Sequence, residues 1–128
     1  MANSYGNYIT LPGMKASATL ASKQYYIVKL SSTAGEVKVS ASTLDQHIGI
    51  VQNDPAAGEP AEVAFVGVCL GVAGSAITLG DHLTSNKTGT LETVAATVAA
   101  RPIVGRALNT VTTAGDLVTV ALAPRIVL

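Results

Sequence analysis

Tryptophan is absent from this 128-residue chain, phenylalanine occurs once and tyrosine four times. So few flat rings argue against an aromatic platform for sugars. Charge is scarce too: 12% of positions carry one, against roughly a quarter in an average globular protein, and eight Lys plus Arg cancel eight Asp plus Glu. Nucleic-acid binders cluster Lys and Arg against phosphates. Here the basic residues are scattered, the nearest pair being Arg101 and Arg106, so no nucleic-acid partner is expected. The single cysteine, Cys69, excludes an internal disulfide and a zinc cluster of thiolates. Asn3, Ser4, Gly6 and Asn7 interrupt the first apolar residues, and no hydrophobic core of a secretory leader precedes Ala16-Ser17-Ala18. Folding in a cytoplasm is the expectation.

What is present is apolar and small. Hydrophobic residues make up 48% of the chain, Val and Ile are frequent, and net charge is nil, which excludes a disordered chain. The length suits one compact domain. Val63 to Gly80 is free of charge over 18 residues and carries the Gly67-xxx-Gly71 spacing of membrane helices. Its six Gly, Ser and Thr residues and its β-branched bulk fit two buried strands joined at Gly74-Ser75 better, so no membrane partner is expected.

From Gln24 onward the period is two. Tyr25–Leu30 and Glu36–Ser40 read as a hairpin around Ser31–Gly35, and Ile48–Val51 with Glu62–Leu70 as strands around Asn53–Gly58. Ala76–Thr78 is a short strand, His82–Thr84 and Thr90–Glu92 a hairpin, and Ile103–Leu108 and Leu117–Leu122 the last pair. Only Leu91–Ala100 admits a short helix, with a loose loop as its alternative. Short strands at this spacing predict an all-β fold, a small sandwich or barrel built of hairpins. Met1–Met14 is short of charge and has no helical period, and residues 1–20 read as an extended N-terminal arm; 21–128 read as the single β-domain. Tyr5, Tyr8, Ile9, Leu11 and Met14 are apolar side chains that gain by burial, which makes them the candidate contact residues of that arm.

The chain also repeats itself. Ile48-Gly49-Ile50-Val51-Gln52-Asn53, followed by Gly58-Glu59, parallels Val104-Gly105-Arg106-Ala107-Leu108-Asn109, followed by Gly115-Asp116. A glycine near a strand start predicts a bulge or a close backbone approach. An acidic residue follows the turn glycine in Gly35-Glu36, Gly58-Glu59, Gly80-Asp81 and Gly115-Asp116. These carboxylates suit local backbone N–H groups better than acid–base work.

No catalytic constellation emerges. Cys69 lies within an apolar run rather than at an exposed turn that would stabilise a thiolate. His47 and His82 have no metal-ligand spacing, and no nucleophile elbow or phosphate loop occurs. Neither an enzyme nor a cofactor or metal site is expected, and function is expected to reside in surfaces.

Taken together, Tyr25–Leu30, Ile48–Glu59, Val63–Val68, Ile77–Thr84 with Gly89, Val104–Leu108 and Ala114–Val120 resemble the capsid cement, or head decoration, proteins of tailed bacteriophages. The resemblance covers about residues 20–122. It implies a β-domain on the outer face of the phage head that stabilises capsomer junctions, with the major capsid protein and its own copies (a homotrimer, or a dimer) as partners, and a place in the virion. The alternative is a β-domain of a head or tail fibre acting as a host-surface adhesin.

Overall fold

A computed structural model describes residues 7–41, 47–94 and 102–126, with side chains up to residue 122. The described residues form ten strands: β1 (Tyr8–Thr10), β2 (Lys15–Ala16), β3 (Ile27–Leu30), β4 (Glu36–Val39), β5 (His47–Val51), β6 (Val63–Val72), β7 (His82–Ser85), β8 (Leu91–Thr93), β9 (Pro102–Ala107) and β10 (Leu117–Ile126). They join into one hydrogen-bonded sheet in the order β2-β4-β3-β5-β6-β10-β9-β7-β8, with β1 added on β6. Among the described residues there is no helix, so the fold is all-β, as alternation predicts.

The hairpins stand where the period of two places them. Val28 faces Val39 across β3 and β4, Ser85 faces Leu91 across β7 and β8, and Val120 faces Ala107 across β10 and β9. The helical alternative for Leu91–Ala100 fails over its first residues. Leu91–Thr93 is strand β8, because Leu91 is fully buried and its neighbours pair with β7; residues 95–100 lie outside the described part. In the charge-free stretch β6 takes up Val63–Val72, with Gly67 (φ 109°) interrupting its regular geometry, and the chain bends at Gly74-Ser75 where the junction is expected. Beyond it, Ala76–Thr78 shrinks to one bridge, Ile77 with Val111.

Residues 8–20 lie against this sheet, with a turn at Pro12-Gly13 between β1 and β2 and a bend at Ser17-Ala18. β1 runs antiparallel to β6, with Tyr8 opposite Gly67 and Ile9 opposite Val66, and β2 runs parallel to β4. Ala16 and Leu20 are buried in a core shared with Val28, Val37, Val51, Ala61 and Val63. A second, larger core gathers Ile77, Leu83, Leu91, Val104, Ala107, Val118 and Val120 with Ile27, Ile50 and Cys69.

The repeated glycines mark close approaches. A Cβ on Gly49 would fall 2.1 Å from the Ala64 carbonyl oxygen, and one on Gly105 2.2 Å from that of Ala121. Two of the turn carboxylates bind backbone as expected. Glu59 Oε1 accepts from the Ala56 N–H at 2.8 Å and Asp81 Oδ2 from the Thr78 N–H at 2.9 Å.

Candidate functional site

Among the described residues, Cys69, His47 and His82 do not converge. Cys69 is buried in the larger core, and burial alone pushes its thiol up to about 12. A thiolate is therefore suppressed at neutral pH. The two histidines lie apart in the sheet: His47 opens β5 and is buried, while His82 opens β7 with its Nε2 at 3.1 Å from Arg106 Nη2. Among the described residues no group of three or more His, Cys, Asp or Glu is placed to hold a metal. No described helix is long and apolar enough to cross a membrane.

The candidate contact residues divide by role. Tyr8 packs against the larger core and its hydroxyl donates to the Glu62 carboxylate at the foot of β6. Burial first, then the Glu62 carboxylate, pushes this phenol up to about 12. Leu11 donates its N–H to the Val63 carbonyl at 3.0 Å, and Met14 accepts from the Ala61 N–H at 2.9 Å. Both side chains are half-buried against the smaller core. These three residues fasten the segment to the sheet.

Ile9 differs, pointing outward with 59% exposure. Its cross-strand neighbour Val66 is 43% exposed, so the two form an apolar pair beside a shallow depression lined by Asn7, Tyr8, Ile9, Val66 and Gly67. Sequence reasoning missed Val66 because it sits in an unbroken apolar run, where alternation gives no hint of which residues face out. Tyr5 lies outside the described residues.

β1 owes its place to Gly67. The Asn7 carbonyl oxygen would be 2.3 Å from a Cβ there and the Tyr8 Cα 2.7 Å. The Asn7 oxygen accepts from the Val68 N–H at 2.8 Å, which closes the strand over the bend.

The comparisons with known proteins agree with this all-β picture. No significant match is found among curated proteins. Among solved structures, the N base of the head fiber gp8.5 of bacteriophage phi29 is similar at 22% identity with a TM-score of 0.65. The match covers 86% of this chain and 90% of that one, and at this identity it shows a shared fold. A scan of family models matches residues 5–122 to the family described as phage cement protein. With that match spanning nearly its whole length, the chain belongs to the phage cement protein family.

Proposed function

We propose that this protein is a capsid cement protein that binds the outer surface of a phage head and stabilises capsomer junctions by docking the face that carries Ile9 and Val66. The family match over residues 5–122 carries this reading. The exposed apolar pair supports it, because burying two β-branched side chains against a capsid subunit contributes on the order of 1.5–3 kcal/mol each, less what is already covered. Tyr8, Leu11 and Met14 act by positioning: they hold β1 so that Ile9 is presented rigidly, which lowers the ordering cost of binding. The major capsid protein is the partner, and repetition of the site over the head supplies avidity.

The fibre-adhesin reading is favoured by one observation, the shared fold with a head-fibre base. Copy number separates the two. A cement protein occurs in virions in numbers comparable with the major capsid protein, and an adhesin in few. The direct test adds purified protein to expanded, undecorated heads and measures occupancy by mass spectrometry. Wild type should saturate the heads, and Ile9→Asp with Val66→Asp should lower occupancy at least about tenfold. Full decoration by the variant would refute the assignment of this face.

A further inference from the structure

The repeat seen in the sequence extends to the hydrogen bonds. Gly58 donates to the Ala16 carbonyl at 2.8 Å, and 57 positions on, Gly115 donates to that of Ala73 at 2.7 Å. Ala16 donates to Glu59 at 3.0 Å and Ala73 to Asp116 at 2.9 Å. At the same offset Lys15 bridges Pro60 and Val72 pairs with Leu117. The strand order follows, β4-β3-β5-β6 against β8-β7-β9-β10. In the cores Leu20 matches Ile77, Val28 matches Leu83, Val37 matches Leu91, Val51 matches Ala107 and Val63 matches Val120. The described chain is two quasi-equivalent units, with β6 closing the first and opening the second. The offset sets Tyr8, Ile9 and Thr10 of β1 on Phe65, Val66 and Gly67 of β6, so these short stretches are the first strands of their units.

The two first strands differ in what lies along their edges. In the second unit both edges are taken at Gly67, which pairs with Leu122 of β10 on one side and with Tyr8 of β1 on the other. In the first unit β1 uses one edge, toward β6. The Asn7 carbonyl accepts from the Val68 N–H at 2.8 Å and the Leu11 N–H donates to Val63 at 3.0 Å, so alternate residues from Asn7 to Leu11 turn their main chain to β6. In an antiparallel ladder the residues between them, Tyr8 and Thr10, turn their N–H and C=O groups the other way. On that side neither main chain has a hydrogen-bond partner among the described residues. Charge is one device by which proteins blunt such an edge. The strands at the two ends of the sheet carry it, Lys15 in β2 and Glu92 in β8, whereas β1 has no charged residue.

We propose that the open edge of β1 receives an extended segment of the major capsid protein as an added strand. This rests on the head-binding reading above and gives the chemistry of its partner. The matching edge in the second unit is filled by an extended stretch, β1 itself, so the fold already seats a strand in that place. The outward N–H and C=O groups of Tyr8 and Thr10 are met by the main chain of the arriving segment. Its residue opposite Ile9 stands on the same face as Ile9 and Val66 and continues their exposed apolar row. The partner is therefore an extended segment with an apolar residue at that position and no proline where it must donate to β1.

The test adds the full chain to expanded, undecorated heads and follows amide exchange in residues 8–11. The Tyr8 and Thr10 amides should exchange fast in the free protein and slow at least about tenfold on heads. Thr10→Pro removes an outward N–H that the fold does not use, so it should melt like wild type yet lower occupancy at least about tenfold. Thr10→Val keeps the N–H and should decorate fully. Unchanged exchange of both amides on decorated heads, or full decoration by Thr10→Pro, would overturn the proposal. If Ile9→Asp with Val66→Asp still lowers occupancy in that case, the docking face stands without the added strand. Heads left bare by wild type would remove both readings. An equal loss in Thr10→Val would assign the effect to the side chain and overturn the proposal. Protection of Tyr8 and Thr10 without heads, rising with concentration, would give the edge to a second copy and overturn it as well.

Discussion

Gly67→Ala is the sharpest single probe, since it acts on the strand that presents Ile9. An added methyl would lie 2.3 Å from the Asn7 carbonyl oxygen and 2.7 Å from the Tyr8 Cα, both backbone atoms that cannot rotate away. Its φ of 109° is also a conformation that a residue with a Cβ resists, at about 1–3 kcal/mol. The chain has two responses. It retains β1 and bears strain plus overlap, or it releases β1. Release forfeits the bonds from Leu11 to Val63 and from Val68 to Asn7, at about 1 kcal/mol each. It also uncovers part of Tyr8, worth roughly another 1–2 kcal/mol. Both routes cost about 3 kcal/mol, which for a chain of this size lowers the melting temperature by roughly 10 °C. Thermal melts give the total, and amide exchange tells the routes apart, since only release exposes Val68 and Leu11. A variant that melts within about 2 °C of wild type, with both amides still protected, would refute the reasoning. Deleting the segment is a poorer experiment, because Leu11 and Met14 belong to the smaller core and their loss would mix fold with contact.

The other expectations concern equivalence and protonation. Asn109→Ala removes the acceptor of the Thr119 N–H and should cost about 1 kcal/mol; Asn53→Ala removes the acceptor of the Glu62 N–H and also the donor to the Pro60 carbonyl, so it should cost more, and an Asn53→Ala variant at least as stable as Asn109→Ala would refute this. Cys69 should react with a thiol reagent at neutral pH only as fast as the protein unfolds, because burial holds the thiol up to about 12; labelling at the rate of a free cysteine would contradict its placement. Tyr8 and Cys69 both carry folded values of about 12 against ordinary values of 10.0 and 9.0. Their contribution to stability is therefore complete below pH 9 and is lost as pH climbs toward 12. Melting temperature should fall over that range, and less steeply in Tyr8→Phe with Cys69→Ala; equal slopes would argue against this linkage.

Alternation made the hairpins legible, because Glu36-Val37-Lys38-Val39 can bury only one side. The repeated glycines were legible as close approaches, and Gly49 and Gly105 meet equivalent carbonyls. Where Tyr8–Thr10 docks was not legible. Three residues are too few to establish a period, and their partner is set by a backbone bend at Gly67 that no neighbouring residue signals. Leu91 misled for a related reason. The alanines after it favour a helix, but its own side chain fills the core and its amide neighbours complete a hairpin.

The asymmetry between the units was written in the sequence in a form that alternation alone does not reveal. In the first unit Ile27-Val28 and Ile50-Val51 are apolar on consecutive residues, and consecutive apolar residues in a strand require cover on both faces. At the matching places of the second unit, half-buried His82 and exposed Arg106 stand beside buried Leu83 and Ala107, while the rest of β7 and Pro102–Gly105 of β9 is buried. The repeat allows these pairs to be set side by side. The difference is confined to those two positions. The low charge follows from the same division. A strand covered on both sides has no place for ions, whose desolvation is costly. Surfaces made to receive another chain lose little on contact if they carry few.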